Sequence, residues 1–103
     1  MEVIFHTHHA TISDALRHRA ERTVRKLAER MSRPVDAIIR FEQDGPLRHV
    51  ELELRAPRRR PLIARGCERN FGPALTEAAT RMEGQLTRGK RVPRSRNTEA
   101  RRP

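Results

Sequence analysis

The pattern in this sequence best suited to chemistry is a recurrence of cationic side chains at helical spacing. Arg19, Arg22, Lys26, Arg30 and Arg33 follow one another at three- and four-residue steps. On a helix at 100° per residue, with Leu16 at zero, they fall between about 240° and 320°, a single basic flank. Arg81 and Arg88 form a second row two turns apart, near 220–240° when Leu75 is zero, and Arg91 follows if the helix continues. Two such ridges facing the same way suit a phosphate backbone. The guanidinium fork grips phosphate bidentately, and each neutralised phosphate releases counterions. The plainer reading of either row is a solvated helix face; the localisation of charge described below argues against it.

Other candidates carry less. His6, His8 and His9 stand close together, but no Cys or carboxylate accompanies them at a ligand spacing, so they read as a strand-to-helix turn rather than a metal site. His18 falls on the solvent side of the first helix and His49 on the wet face of a strand. Cys67 is framed by no nucleophile motif and is expected as a small core residue. Asp36, Glu42, Glu51 and Glu53 form no acid/base pair; with Arg40, Arg48 and Arg55 nearby, a cross-strand charge ladder accounts for Glu51 and Glu53. No Gly-rich phosphate loop is present. With three Phe, no Trp and no Tyr, the stacking platforms of single-strand readers are missing, which leaves recognition of RNA by backbone and shape.

The elements that must position these residues are legible from periodicity. Residues 2–6 (EVIFH) read as a strand, followed by the turn-like THHAT. Ser13 can cap a helix with Asp14 in its first turn. Leu16, Ala20, Val24, Leu27 and Met31 then make one apolar stripe, which Pro34 ends. Residues 35–43 alternate partially, Asp44-Gly45-Pro46 signals a turn, and 48–56 alternate cleanly, with Val50, Leu52, Leu54 and Ala56 on one face. After the loop Pro57–Pro61, residues 62–68 read as a strand in which Gly66 suggests a bulge. A second helix begins near Asn70 or Gly72, tolerates Pro73 in its first turn, carries Phe71, Leu75, Ala78, Ala79, Met82 and Leu86 as its stripe, and ends at Gly89. The order β-α-β-β-β-α predicts an α+β fold: a four-stranded sheet with both helices on one face, as one domain over residues 1–90. Residues 91–103 read as a disordered basic tail.

Composition agrees. The chain of 103 residues holds 23 Lys plus Arg against 13 Asp plus Glu, a net charge of +10, and only Lys26 and Lys90 of the cations are lysine. The excess is localised. Residues 13–33 carry seven basic and three acidic side chains, residues 34–87 nine and eight, and residues 88–103 seven and one. Such a chain seeks a polyanion. No apolar run approaches the roughly 18 residues of a membrane span. The opening MEVIFHTHH is too polar for an export signal, and a lone cysteine fits a reducing compartment. A cytoplasmic protein without cofactor, metal or small-molecule substrate is expected.

Two stretches resemble a known family. HHATISDALRHRAERTVRKLAER is similar to the start of the ribosome hibernation promoting factors, also called ribosome-associated inhibitor A or sigma-54 modulation proteins. NFGPALTEAATRMEGQLTRGK resembles the family's last helix at Phe71, Ala74, Leu75, Thr76, Arg81, Met82, Gln85, Leu86, Arg88 and Lys90. The family's pattern departs at Arg69, at Arg58-Arg59-Arg60 and at Gly84. The resemblance implies a short-form member, without the long form's dimerisation domain and monomeric off the ribosome. It would bind small-subunit rRNA in the decoding channel and block translation sterically in stationary phase or stress. By position it assigns RNA contacts to Arg19, Arg22, Lys26, Arg30, Arg81, Arg88, Lys90 and Arg91. The alternatives are a general double-stranded RNA-binding module or a regulator that docks its basic surface on an acidic protein. An enzyme is the reading least supported.

Overall fold

The computed structural model describes residues 1–90, with Lys90 by its backbone alone; Arg91 and the tail expected at 91–103 lie outside the described residues. Its elements are β1 (Glu2–His8), α1 (Asp14–Ala28), β2 (Asp36–Asp44), β3 (Leu47–Arg55), β4 (Leu62–Glu68) and α2 (Phe71–Lys90). The strands form one sheet in the order β1-β2-β3-β4. β1 pairs parallel with β2, and β2, β3 and β4 pair antiparallel in turn. A parallel pair needs a long crossover, which α1 supplies. The antiparallel pairs need only turns. Gly45-Pro46 closes the first hairpin, with Gly45 at φ +61, the position where a type II′ turn selects glycine. The expected α+β order holds.

Local signals explain most boundaries, and two depart from expectation. Ser13 caps α1 as anticipated, its hydroxyl accepting the Leu16 N–H at 3.1 Å. α1, however, stops at Ala28 rather than running to Pro34. The Arg30 and Met31 N–H groups bond three residues back, to Leu27 and Ala28, so the chain tightens into a turn. This keeps Met31 buried while Arg33, pushed out of the α region by Pro34, takes φ +57. Arg33 therefore leaves the helical row. β1, in turn, extends two residues further than read, because Thr7 and His8 pair with Phe41 and Glu42. The chain turns only at His9, at φ +53.

The core is a single aliphatic layer between helices and sheet. Ala37, Ile39 and Phe41 of β2 and Val50, Leu52 and Leu54 of β3 meet Ala20, Val24 and Leu27 of α1 and Leu75, Ala78, Met82 and Leu86 of α2. Phe41 and Phe71 add an edge-to-face pair, 5.4 Å between ring centroids. Gly66 is no bulge: β4 pairs with β3 without interruption from Leu62 to Glu68. Its glycine is required by α2. A Cβ there would collide with the Ala74 carbonyl oxygen and sit 2.9 Å from the Ala78 nitrogen. The smallest residue type lets the helix backbone settle directly on the strand.

Candidate nucleic-acid interface

α1 presents the first cationic row as anticipated. Its apolar stripe is held to the sheet, which leaves Arg19, Arg22 and Lys26 exposed and Arg30 half-buried. Among the described residues, the side chains of Arg22 and Lys26 make no hydrogen bond or ion pair. The α1 and α2 flanks enclose a groove of about 520 Å³ lined by Arg19, Thr23 and Lys26 of α1, by Arg30 of the turn that follows, and by Thr76, Thr80 and Glu83 of α2. Arg19 of α1 and Arg30 of the turn that follows it already reach across it. Arg19 Nη2 donates to Thr76 Oγ1 at 2.6 Å. Arg30 donates from Nη1 to Glu83 Oε2 at 3.2 Å and from Nη2 to Thr87 Oγ1 at 3.3 Å.

The second row does not face the first. Arg81 lies on the flank of α2 turned away from α1, where its Nη1 donates to the Arg65 carbonyl at 2.8 Å and its Nη2 pairs with Glu77 at 3.1 Å. Arg88, exposed, reaches back over Gly84. Lys90 closes α2, its side chain beyond the described residues, as is Arg91. What faces α1 is instead the polar set Thr76, Thr80, Glu83 and Thr87. Sequence reading passed over it, although its spacing of four, three and four residues is a helical stripe in its own right.

The reason for Arg81's placement is the sheet edge. β4 is an outer strand whose unpaired groups would otherwise be open to another chain. α2 closes them. Glu77 accepts the Cys67 N–H at 2.7 Å, Arg81 donates to Arg65, and Gln85 Nε2 donates to the Ile63 carbonyl at 2.7 Å. Three side chains on one flank of α2 thus satisfy alternate residues of the edge.

The far face of the sheet also carries arginine, but neutralised. Register sets Arg40, Glu51 and Arg65 in one cross-strand row and places Glu53 beside it. Arg40 Nη1 donates to Glu51 at 2.8 Å and to Glu53 at 3.0 Å; Arg55 Nε reaches Glu53, and Arg65 Nε reaches Glu51, both at 2.8 Å. The anticipated ladder is present, with Arg65 as the partner that sequence reading lacked. Arg48 belongs elsewhere, on the helix side over the Phe71 ring. Glu53 is only 5% exposed. Burial alone would raise its pKa, but the hydrogen bonds and charges of Arg55 and Arg40 outweigh it and hold the carboxyl below its ordinary value. Arg55 is raised in turn by its bond to Glu53.

Cys67 is exposed on this face rather than buried in the core, its Sγ 4.0 Å from His49 Nε2. The alternation of β4 puts Leu62, Ala64 and Gly66 under α2, which turns Cys67 outward. Among the described residues no three of His, Cys, Asp and Glu gather closely enough to hold a metal ion, and no helix is long and apolar enough to cross a membrane.

Comparison with known proteins gives this arrangement a family. A ribosomal subunit interface protein from Coxiella burnetii superposes with a TM-score of 0.78 at 18% identity, covering 87% of this chain and 98% of that one. The N-terminal domain of Thermus thermophilus Protein Y superposes at 0.72 and 19% identity, covering 86% and 99%. At such identity the likeness is one of fold. No curated protein matches by sequence. Residues 3–92, however, match the family described as sigma 54 modulation protein / S30EA ribosomal protein, a span that takes in all six elements but the first residue of β1. The chain belongs to that family and is by kind a ribosome-associated factor.

Proposed function

We propose that the protein binds the rRNA of the small ribosomal subunit with its helix face, occupies the decoding channel, and inhibits translation by steric exclusion of mRNA and tRNA. It acts in the cytoplasm, as a monomer off the ribosome, without catalysis, cofactor or small-molecule substrate, and in stationary phase or stress. The observation that carries this reading is the one-sidedness of the charge. Arginines on the sheet face are matched by carboxylates, whereas Arg22 and Lys26 on α1 stand free and exposed. Arg19, Arg22, Lys26 and Arg30 supply the principal phosphate contacts. Arg88 extends them along α2, Arg81 adds its charge from the β4 side, and Lys90 and Arg91 are further contacts by their place in the sequence. The fold of the ribosomal subunit interface protein and family membership support a ribosomal target over a free duplex.

Co-sedimentation with purified small subunits at rising salt tests this reading. A backbone-dominated contact loses affinity log-linearly with salt, with a slope near −0.7 to −0.9 per neutralised phosphate. A flat response overturns it. Equal affinity for plain duplex RNA assigns the protein instead to general double-strand binding, and a partner retained after nuclease treatment assigns it to protein docking.

A further inference from the structure

The groove between the helices is not uniformly cationic. Glu83 enters it from α2 and holds one terminal nitrogen of Arg30 at 3.2 Å, while Thr87 takes the other at 3.3 Å. The pair is exposed, 36% for Arg30 and 61% for Glu83. Ion pairs this open to water are weak and yield to a better anion. A phosphate is that anion: it accepts both arms of the guanidinium, and Lys26 and Thr80 line the same groove.

We infer that Glu83 is the specificity-determining residue of this groove: its carboxylate occupies Arg30 in the free protein and is displaced only by an RNA phosphate seated between α1 and α2. The inference rests on the RNA-binding reading of the helix face given above. An RNA that lies along the outer crest, over Arg22, leaves Glu83 in place and gains nothing from Arg30. An RNA whose backbone enters the groove exchanges one anion for another on Arg30 and releases Glu83 toward water, where it already mostly lies. A cation withheld from the wrong partner and yielded to the right one gives selectivity as a difference of affinities.

Binding of the full chain to small subunits and to a plain duplex RNA, at one salt concentration, tests this for wild type, E83Q, E21Q, K26Q, R30Q and R30Q/E83Q. Glu21 is paired with Arg25 on the other flank of α1, so E21Q removes the same charge outside the groove. E83Q is expected to tighten duplex binding about three- to ten-fold and subunit binding by less, with E21Q changing either by under about two-fold. R30Q and R30Q/E83Q are expected to bind alike. Equal gains from E21Q and E83Q overturn the inference, as does a full E83Q gain without Arg30, or equal gains on both RNAs. If K26Q and R30Q leave subunit binding unchanged, the helix-face reading itself falls. If they weaken it while E83Q does nothing, only the role of Glu83 falls.

Discussion

Arginine has opposite fates on the two faces of this molecule. On the sheet, Arg40 and Arg65 each meet Glu51 at the position that strand register sets opposite, and Arg55 meets Glu53 two residues back on its own strand. On α1, Arg22 and Lys26 meet none, and Arg19, like Arg30 in the turn beyond, is engaged only across the groove. The difference lies in periodicity rather than composition. A sheet brings residues from separate strands opposite one another, so Glu51 and Glu53 serve arginines from three strands. On α1 the only ion pair to a carboxylate of the same helix is Arg25 with Glu21, on the flank away from the groove, so the groove-side row keeps its charge. Arginine on the first face is cohesive; on the second it is available.

The comparison breaks most visibly if reversal of the free row has no consequence. R22E/K26E is expected to weaken small-subunit binding by about a hundred-fold, since it removes two phosphate partners and sets two repulsions in their place. Folding should be unaffected, as exposed substitutions away from structural features stay within about 0.5 kcal/mol. Sedimentation and urea unfolding on the same preparations read the two effects apart. The matched substitution on the other face is R40M. It leaves buried Glu53 with Arg55 as its remaining partner, for a loss of about 1–2 kcal/mol. Binding of the folded protein should change by less than about two-fold, because that charge was already neutralised. A large binding defect in R40M with intact folding would mean that the sheet face also touches the ribosome.

How much of this could be read beforehand follows from the same distinction. The helix row was legible because α1 is continuous and one rotation fixes every residue on it: Leu16 and Val24 locate the core, and Arg22 and Lys26 must then lie outside. The buried face of β3 was legible from the alternation Val50, Leu52, Leu54. The parity of β4 was not. LIARGCE offers Leu62 and Ala64 on one side and Ile63 and Cys67 on the other, and only the need for a glycine beneath Ala74 decides it. That undecided parity misplaced Cys67, hid Arg65 from the ladder and made Gly66 read as a bulge. The second row failed for a related reason. Helical angle places Arg81 on a flank, but which flank faces α1 depends on where the edge strand lies, a long-range fact no local window contains.

Acid sharpens the comparison further. Glu53 has its folded pKa held below its ordinary value of 4.5, so it binds a proton more readily unfolded than folded. Its stabilising contribution is therefore complete above the unfolded value and is lost as pH falls from about 4.5 through the depressed folded value. E53Q should lower stability at neutral pH and flatten the decline below pH 4.5, which urea midpoints at pH 7 and pH 3 would show. An acid limb of unchanged steepness in E53Q would place the sensitivity in other carboxylates.

Arg81 gives the smallest effect and the finest test, because it shares its residue type with Arg22 but its circumstances with Arg40. Its guanidinium is committed to the Arg65 carbonyl and to Glu77, closing the outer edge of β4. R81Q is expected to cost about 0.5–1 kcal/mol of stability, the worth of an exposed charged hydrogen bond and pair. It should weaken small-subunit binding by no more than about two-fold, well below the loss from R22Q, since one donor row is kept and only screened charge is removed. Hydrogen exchange at the Ala64 and Gly66 amides, which alternate with the edge-facing residues and so point into the ladder with β3, gives an independent readout, because a loosened edge opens more often. Should R81Q match R22Q in binding loss while those amides stay protected, Arg81 reaches RNA directly and the edge contact is incidental. Should the amides lose protection with binding nearly intact, the sequence pattern that groups Arg81 with the phosphate-binding cations records a strand-sealing role.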